Sequence, residues 1–304
     1  MMKSMMFIDG NNLARASHHA GTPLSVGGFP TQAIYHFLQM LSTAVSRFPH
    51  SKPMILWDGR AQWRYDEYPL YKANRDKDST PEKEKDEADF KLQLPRIQEV
   101  VQHLGVYQIK PLHGEADDLA GLLTESAVAR GMHVQLVSAD KDWLQLVGEQ
   151  VEWFDPIRDR HCNLTNFLDF TGYESPAAFL QGKALVGDTS DNIEGIEGIG
   201  AGTASKLLAE YGSVDALLSA LDAGEIKKPG KRLQALMDNR ADYFRNLKLM
   251  DLRKYPRELL AERVTTQGAY DYDQFARFCQ DHLFMSILSK LAEYTQPFAR
   301  LSAV

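Results

Sequence analysis

The sequence predicts an α/β protein in which a parallel sheet covered by helices is followed by an all-helical module. Its 304 residues are 44% hydrophobic and 25% charged, which is ordinary globular composition with ample core material. Short apolar runs alternate with helical spacings up to about residue 155, and only helical spacings follow from about residue 175. We therefore expect one unit over residues 1–174 and a second over residues 175–304.

The first unit contains five short apolar runs that are typical of buried strands. These runs cover residues 6–9, 54–58, 106–109, 133–140 and 151–155, and helical spacings cover residues 31–47, 97–104 and 117–128. Asp9, Asp58 and Asp140 each stand at the end of one of the runs. Because ligands bind beyond the carboxyl ends of parallel strands, we expect these three carboxylates to meet at one edge of the sheet.

The second unit shows only helical spacings, and one segment of the first unit shows no periodicity at all. The helical spacings lie at 179–186, 203–211, 214–221, 232–252 and 272–293. Residues 76–89 carry seven acids and three lysines without an apolar face. That composition predicts a mobile surface segment.

Composition and charge narrow the class of protein. No run of eighteen apolar residues is present and Asp9 comes too early for a signal peptide, so we expect neither a membrane span nor a secretion signal. Only two cysteines occur, Cys162 and Cys279, which indicates a reducing cytoplasm. The net charge of −7 argues against a nucleic-acid partner, but residues 227–257 hold ten basic side chains and three acids. Such a run is typical either of a solvated helix face or of a phosphate-binding surface.

Nine carboxylates stand in five small groups at strand ends and helix starts. They are Asp9; Asp58; Glu115, Asp117 and Asp118; Asp140 and Asp142; and Asp188 and Asp191. A single aspartate at such a place is typical of a helix N-cap, but capping needs only one acid per helix. Gathered together, so many like charges destabilise a fold unless a multivalent cation is bound. All-oxygen ligands favour Mg²⁺ or Mn²⁺, and nine acids indicate two ions acting on a phosphate.

Six motifs carry a resemblance to a known family. They are, in chain order, FIDGNNL, ILWDG, YKANRD, GEADDLA, SADKDWLQL and VGDTSDNIEGIEGIG. Over residues 5–255 the chain resembles the structure-specific 5′-nuclease, or flap endonuclease, family. It is most similar to bacteriophage 5′–3′ exonucleases and to the 5′-nuclease domain of bacterial DNA polymerase I. The resemblance implies a PIN-like nuclease core with a helical arch over residues 76–96, followed by a helix-turn-helix DNA-binding module.

The resemblance also implies an activity. We expect an Mg²⁺-dependent 5′–3′ exonuclease and flap endonuclease that hydrolyses DNA near free 5′ ends, flaps or nicks. Its products are a 5′-phosphate and a 3′-hydroxyl, and RNA primers are a further expected substrate. The expected form is a free-standing monomer in the cytoplasm, which is the host cytoplasm if a phage encodes the protein.

The functional residues of the family are carried over position by position. By this match, the first metal is held by Asp58, Glu115 and Asp117, with Asp9 close by. The second metal is surrounded by Asp118, Asp140, Asp142, Asp188 and Asp191. The expected catalytic residues are Lys72, Arg75, Asp118 and Asp140.

Four basic residues follow Asp58 within eighteen positions, namely Arg60, Arg64, Lys72 and Arg75. Either they form an ordinary charged loop, or they grip the scissile phosphate, where cations lower the reaction barrier most. In the resembling family, the pair that matches Tyr71 and Lys72 opens the arch, and the lysine assists the chemistry. We therefore expect DNA contacts from Arg64, Tyr71 and Lys72. Because the arch itself is net acidic, we expect its further DNA contacts at Lys91 or Arg96.

A glycine-rich loop over residues 195–202 joins two predicted helices. It is either a tight turn or a phosphate cradle made of backbone N–H groups and the next helix N-terminus. The resemblance implies a duplex-binding helix-turn-helix in which the carbonyls of Ile196 and Ile199 hold one K⁺ ion. The expected DNA contacts are Gly198, Gly200, Gly202, Thr203 and Lys206. The family commonly has lysine at position 202, so Thr203 and Lys206 would carry the phosphate contact here.

Two alternatives remain open at this point. A PIN- or NYN-type ribonuclease begins with a similar strand end, but it usually lacks the helical loop module and has fewer acids. A non-catalytic DNA-binding relative would have lost acids, whereas this chain has all nine. The glycine loop and the pair Asp188 and Asp191 favour the 5′-nuclease.

Overall fold

The computed structural model describes residues 3–74 and 80–302, and a seven-stranded sheet lies at its centre. The strands are Ser4–Asp9 (β1), Ser25–Val26 (β2), Phe29–Pro30 (β3), Ser51–Leu56 (β4), Tyr107–Pro111 (β5), His133–Val137 (β6), Val151–Asp155 (β7), Arg160–Cys162 (β8), Gly187–Asp188 (β9), Ile193–Glu194 (β10) and Arg263–Thr266 (β11). The α-helices are Gly10–His18 (α1), Gln32–Arg47 (α2), Gln62–Glu67 (α3), Pro81–His103 (α4), Ala116–Val128 (α5), Phe167–Thr171 (α6), Pro176–Val186 (α7), Ala201–Tyr211 (α8), Val214–Asp222 (α9), Lys231–Asp238 (α10), Arg240–Met250 (α11), Tyr272–Asp281 (α12), Met285–Leu288 (α13) and Leu291–Ser302 (α14). Short 3₁₀ helices cover Lys141–Leu146 and Arg257–Ala261.

The central sheet has the strand order β11-β5-β4-β1-β6-β7-β8. Its five inner strands are parallel, whereas the edge strands β11 and β8 are antiparallel to their neighbours. In the central strand β1, Phe7 pairs with Met54 of β4 and with Leu136 of β6. The predicted α/β fold with a parallel sheet is confirmed.

Helices cover both faces of the sheet, so β1 is buried on both sides. Met6 and Ile8 belong to a core shared with α2 and α4, while Phe7 belongs to a core shared with α5 and α7. Parallel strands that are covered on both faces need near-continuous apolar runs of this kind. The carboxyl ends of β1, β4 and β6 consequently lie side by side at one edge.

Most predicted elements are present with shifted ends. The strand predicted over 54–58 ends at Leu56, and the strand predicted over 133–140 ends at Val137. Asp58 and Asp140 therefore lie in the loops just beyond their strands. The helical spacing predicted over 232–252 belongs to two helices, α10 and α11.

The expectation that the chain is wholly helical beyond residue 175 is wrong. Three short strands interrupt the helices, and β11 returns to the central sheet, where Val264 pairs with Lys110 of β5. Helix α12 packs against α4, and α14 packs against α2. The last elements thus pack on the first unit, and their partners are too distant in sequence for a local pattern to show them.

Residues 81–89, predicted to be a mobile surface segment, form the first turns of α4. Residues 76–79 of the predicted segment lie outside the described residues. Glu87 pairs with Arg15 of α1 at 2.8 Å, and the Arg15 guanidinium lies 3.7 Å from the centre of the Phe90 ring. This helix start depends on partners about 70 residues away, so the local sequence does not reveal it.

The structure gives information on membrane-spanning helices and on the pairing of its two cysteines. Within the described ranges, no helix has the length and apolar character that crossing a membrane requires. Cys162 and Cys279 are buried and unpaired. Burial raises the pKa of Cys162 to about 11 and that of Cys279 to about 12, so both thiols stay protonated at neutral pH.

Candidate active site

Residues 9–12, at the end of β1 and the start of α1, form hydrogen bonds with the loops that follow β4 and β6. Asp9 ends β1 and caps α1, where it accepts a hydrogen bond from Asn12 N–H at 3.0 Å and another from the Ser138 hydroxyl at 2.8 Å. The Asn11 side chain accepts a hydrogen bond from Asp58 N–H at 3.2 Å. The Asn12 side chain accepts one from the backbone N–H that follows Ser138, at 3.0 Å. These bonds hold the loops after β4 and β6 against the end of β1.

Four buried carboxylates at this edge of the sheet have raised pKa values. Burial and the charge of Asp58 raise the pKa of Asp9 to about 8. The pKa of Asp140 is raised to about 7 and that of Asp58 to about 6, in both cases chiefly by burial. Burial also raises the pKa of Asp117 well above its ordinary value, and the charges of Asp140, Asp9 and Asp58 add to the effect. The four therefore form one site whose full ionisation needs added positive charge.

Glu115 lies beside these four carboxylates but is held in its ionised form. Burial alone would raise the pKa of Glu115, but the charges of Lys72 and Arg64 outweigh burial and bring it below its ordinary value. Lys72 Nζ pairs with Glu115 Oε1 and lies 3.8 Å from Asp191 Oδ1. Lys72 thus connects the carboxylates at the strand ends with those of the loop after β9.

Asp118 is paired with a buried arginine. It is completely buried, and its two oxygens pair with the guanidinium of Arg64 at 2.9 and 2.8 Å. It also accepts hydrogen bonds from Trp63 Nε1 at 3.3 Å and from Glu115 N–H at 2.8 Å. Arg64 is 2% exposed and donates to the Leu249 carbonyl at 3.0 Å. Arg64 also lies 3.2 Å from Glu115 Oε2, so this buried guanidinium joins Asp118 to the metal-site acid Glu115.

Tyr71 is buried as well, with 3% of its surface exposed. Its hydroxyl lies 2.9 Å from Glu115 Oε2 and 3.0 Å from Asp191 Oδ2. Burial and then the charge of Glu115 raise the pKa of Tyr71, so the phenol keeps its proton. In this structure the Tyr71 ring is buried and its hydroxyl contacts one carboxylate from each group of acids. Arg75, expected to be catalytic, lies outside the described residues.

The second group of acids contains a lysine that sequence reasoning missed. Lys183 of α7 pairs with Asp142, and its Nζ lies 3.6 Å from Asp188 Oδ2. Burial lowers the pKa of Lys183, but Asp142 outweighs it and the net shift is upward, so the ammonium stays charged. Burial would raise the pKa of Asp188, yet hydrogen bonds from Ser190 and the charge of Lys183 bring it below its ordinary value. One signal could have revealed Lys183, because it is the single charged residue of α7.

The glycine loop leads into α8 and borders a pocket of about 400 Å³. The pocket lining includes Gly200, Gly202, Thr203, Lys206 and Arg232. Gly198 has a φ of +76°, which favours glycine, and a Cβ atom there would lie 3.2 Å from Arg232 Cγ. The buried side chains of Ile196 and Ile199 anchor the loop. Arg232 belongs to the basic run noted in the sequence, but only the fold shows that its stem runs along this loop.

The chain matches the two domains of one family in order. Residues 4–171 match the 5′–3′ exonuclease, N-terminal resolvase-like domain. Residues 174–268 match the 5′–3′ exonuclease, C-terminal SAM fold. The chain belongs to the 5′–3′ exonuclease family. The family inferred from the sequence motifs is therefore confirmed, and the protein is a nuclease.

Relatives of this 5′–3′ exonuclease differ in length. The 5′–3′ exonuclease of Aquifex aeolicus (strain VF5) is 35% identical over 219 residues, which are 71% of this chain and 73% of that protein. DNA polymerase I of Mycobacterium tuberculosis (strain ATCC 25618 / H37Rv) is 34% identical over 297 residues, which are 95% of this chain and 31% of the polymerase. The chain thus spans about a third of the length of that polymerase.

The T5 enzyme supplies two solved structures of similar fold. The T5 5′-exonuclease with bound divalent zinc ions is 26% identical, with a TM-score of 0.72 over 92% of this chain and 98% of that chain. The bacteriophage T5 D15 flap endonuclease, in a pseudo-enzyme-product complex with DNA and metal ions, is 23% identical. Its TM-score is 0.70 over 99% of this chain and 100% of that chain. These likenesses confirm the predicted nuclease core followed by a helical module.

Proposed function

We propose that this 5′–3′ exonuclease hydrolyses DNA phosphodiesters near free 5′ ends, at flaps and nicks, with two Mg²⁺ or Mn²⁺ ions. The observation that carries the proposal is the group of buried carboxylates with raised pKa values at three adjacent strand ends, beside the Lys72 ammonium. Such a group repels a phosphate until cations are bound. The proposed products are a 5′-phosphate and a 3′-hydroxyl, and RNA primers paired to DNA belong to the proposed substrate class.

The donor set fits Mg²⁺ and Mn²⁺, because every candidate ligand is a carboxylate oxygen. We assign the first ion to Asp9, Asp58, Glu115 and Asp117. We assign the second ion to Asp140, Asp142, Asp188 and Asp191. When bound, the two ions supply positive charge at the attacking and leaving oxygens and lower the pKa of water.

Two lysines act within the proposed site. Lys72 lies between Glu115 and Asp191, one carboxylate from each group. From this place its ammonium can offset the charge that develops on the oxygens of the scissile phosphate. Lys183 pairs with carboxylates of the second group only, so it keeps that group compact and competes with the ion assigned there.

The glycine loop is the proposed duplex-binding surface. Its backbone N–H groups and the N-terminus of α8 can approach phosphates. Thr203, Lys206 and Arg232 line the same pocket and add a hydroxyl and two cations. The carbonyls of Ile196 and Ile199 are the proposed ligands of one K⁺ ion. These groups contact the DNA backbone and not base edges, so we expect binding without sequence preference.

The match of residues 174–268 to the C-terminal SAM fold favours the 5′-nuclease over a PIN- or NYN-type ribonuclease. The complete set of nine acids disfavours a non-catalytic relative. A ribonuclease that cleaves within RNA would not depend on a free 5′ end, and this difference can be tested directly.

Product mapping tests the proposed function. Flap, nicked and blunt duplexes with a labelled 5′ end, made of DNA or with an RNA 5′ segment, should release short labelled products in Mg²⁺ and none after chelation. Asp140→Asn should abolish cleavage and retain flap binding. Asp169→Asn, at an exposed acid of α6 outside the nine, is the matched control and should cleave normally. Cleavage inside RNA that lacks a free 5′ end would support the ribonuclease instead.

A further inference from the structure

The backbone of Lys72 is strained. Its φ is +57°, in the left-handed region that residues other than glycine, asparagine and aspartate rarely adopt. A lysine keeps such a conformation only where the surrounding structure fixes it. The contacts on either side of Lys72 therefore decide where its ammonium lies.

Hydrogen bonds fasten the Lys72 segment to the turn that follows β9. Lys72 N–H donates to the Asp191 carbonyl at 2.9 Å. Two residues earlier, the Leu70 carbonyl accepts a hydrogen bond from the Asn192 side-chain amide at 2.7 Å. Two residues later, the Asn74 side-chain amide donates to the carbonyl of residue 189 at 2.7 Å. Alternate residues from 70 to 74 are thus held by one turn.

The backbone around Asn192 is fixed, and this fixes the position of its side-chain amide. Its own φ is +57°, a conformation that asparagine tolerates better than most residues. The next residue, Ile193, is buried and pairs with Asp188 in the β9–β10 hairpin. The amide that holds Leu70 is therefore fixed to the hairpin that carries an acid of the second group and leads to the glycine loop.

We propose that Asn192 is a positioning residue for Lys72. By holding the Leu70 carbonyl, it keeps Lys72 in the left-handed conformation that places the ammonium between Glu115 and Asp191. The hairpin of the second acid group thereby sets the position of the lysine before substrate arrives. This proposal rests on the role given to Lys72 under the proposed function.

Asn192→Gly is the decisive variant, since glycine keeps the left-handed backbone accessible and removes only the amide. The Lys72 amide should lose at least about tenfold of its hydrogen-exchange protection, measured without metal or DNA. The single-turnover rate on bound flap DNA should fall about tenfold, while affinity for that DNA changes less than about twofold. Asp159→Gly, at an exposed residue with φ +47°, is the matched control and should change neither quantity.

A double-mutant cycle separates positioning from a general loss of stability. In a Lys72→Ala background, Asn192→Gly should cause no further loss of rate, because the group that it positions is gone. Losses that multiply, or unchanged protection of the Lys72 amide in Asn192→Gly, would overturn the proposal. A normal rate in Lys72→Ala alone would refute the proposed function of the lysine, and the exchange measurement would still decide the role of Asn192. If Asn192→Gly does not fold, Asn74→Ala removes another hydrogen bond between the Lys72 segment and the turn after β9, and it allows the same comparison.

Discussion

Arg64 holds both oxygens of Asp118, at 2.9 and 2.8 Å, where neither residue is more than 2% exposed. A buried ion pair of this kind is costly to break, because removal of one partner leaves the other charge without compensation. The two residues lie 54 positions apart in sequence and fasten α3 to the first turn of α5. The start of α5, and with it Glu115 and Asp117, depends on this pair.

Arg64→Met should therefore lower the free energy of unfolding by about 3–5 kcal/mol, measured by urea denaturation of the chelated protein. Arg64→Met combined with Asp118→Leu should recover part of the loss, because Asp118 is then no longer a buried charge without its partner. Asp118→Asn should destabilise the protein but leave its stabilisation by Mg²⁺ intact. Asp117→Asn is the matched comparison at the next position and should weaken that stabilisation. Equal effects of the two substitutions on Mg²⁺ stabilisation would support the metal role that the sequence predicted for Asp118.

The metal-free protein should become less stable as the pH rises from weakly acid to weakly alkaline. In the folded protein, the pKa values of Asp58, Asp140 and Asp9 are raised from 3.8 to about 6, 7 and 8. Between pH 3.8 and about 8 the folded state thus binds protons that the unfolded chain has lost, so the free energy of unfolding falls with pH. Glu115 and Asp188 have lowered pKa values, so their stabilising contribution is complete once the pH is well above their ordinary values of 4.5 and 3.8, and it does not vary between pH 5.5 and 8.

Thermal unfolding in chelator at pH 5.5 and at pH 8 tests this expectation. The Tm should be lower at pH 8, and saturating Mg²⁺ should raise it there more than at pH 5.5, because ions bind the ionised carboxylates. Asp9→Asn should reduce the difference between the two pH values, whereas Asp169→Asn should not. A Tm that rises with pH in chelator would contradict the shared carboxylate site.

The sequence predicted the edge of the sheet where the acids meet, because parallel strands bring their carboxyl ends together. It could not show which acid of the GEADD segment faces that edge. Asp117 and Asp118 are adjacent and point in different directions from α5, and only the position of Arg64 reveals that Asp118 faces inward. The start of α4 and the strand β11 were missed for a related reason, since Arg15 and β5 stabilise them from distant parts of the chain.

Lys183 should compete with the second metal ion for Asp142 and Asp188. Lys183→Met removes the competing ammonium and leaves the two carboxylates unpaired. We expect the chelated protein to be less stable and the Mg²⁺ concentration for half-maximal stabilisation to fall, since the ions then relieve more repulsion. Lys141→Met, at an exposed lysine next to Asp142, is the matched control and should leave both unchanged. A higher Mg²⁺ requirement in Lys183→Met would mean that the lysine assists the ion instead of opposing it.

Arg232 should supply the cation that the glycine loop lacks at position 202. Its stem lies beside Gly198, and it lines the same pocket as Lys206. Arg232→Ala and Lys206→Ala should each weaken duplex binding equally for unrelated sequences. Each should also lower the slope of log affinity against log salt concentration by about one, because one phosphate contact is lost. Lys52→Ala, at an exposed residue at the amino end of β4, is the control and should leave the slope unchanged.

A rescue experiment distinguishes a phosphate contact from a local structural effect. A side chain at Gly202 would enter open space, since nothing lies within 4 Å of the position of its Cβ atom. The backbone of Gly202 is not left-handed, so the substitution should be tolerated. Gly202→Lys in the Arg232→Ala background should restore both the affinity and the salt slope, because the lysine returns a cation to the same pocket. Gly202→Met is the uncharged control and should restore neither. Rescue by methionine as well as by lysine would show that Arg232 stabilises the loop through packing, and its assignment as a phosphate contact would then be withdrawn.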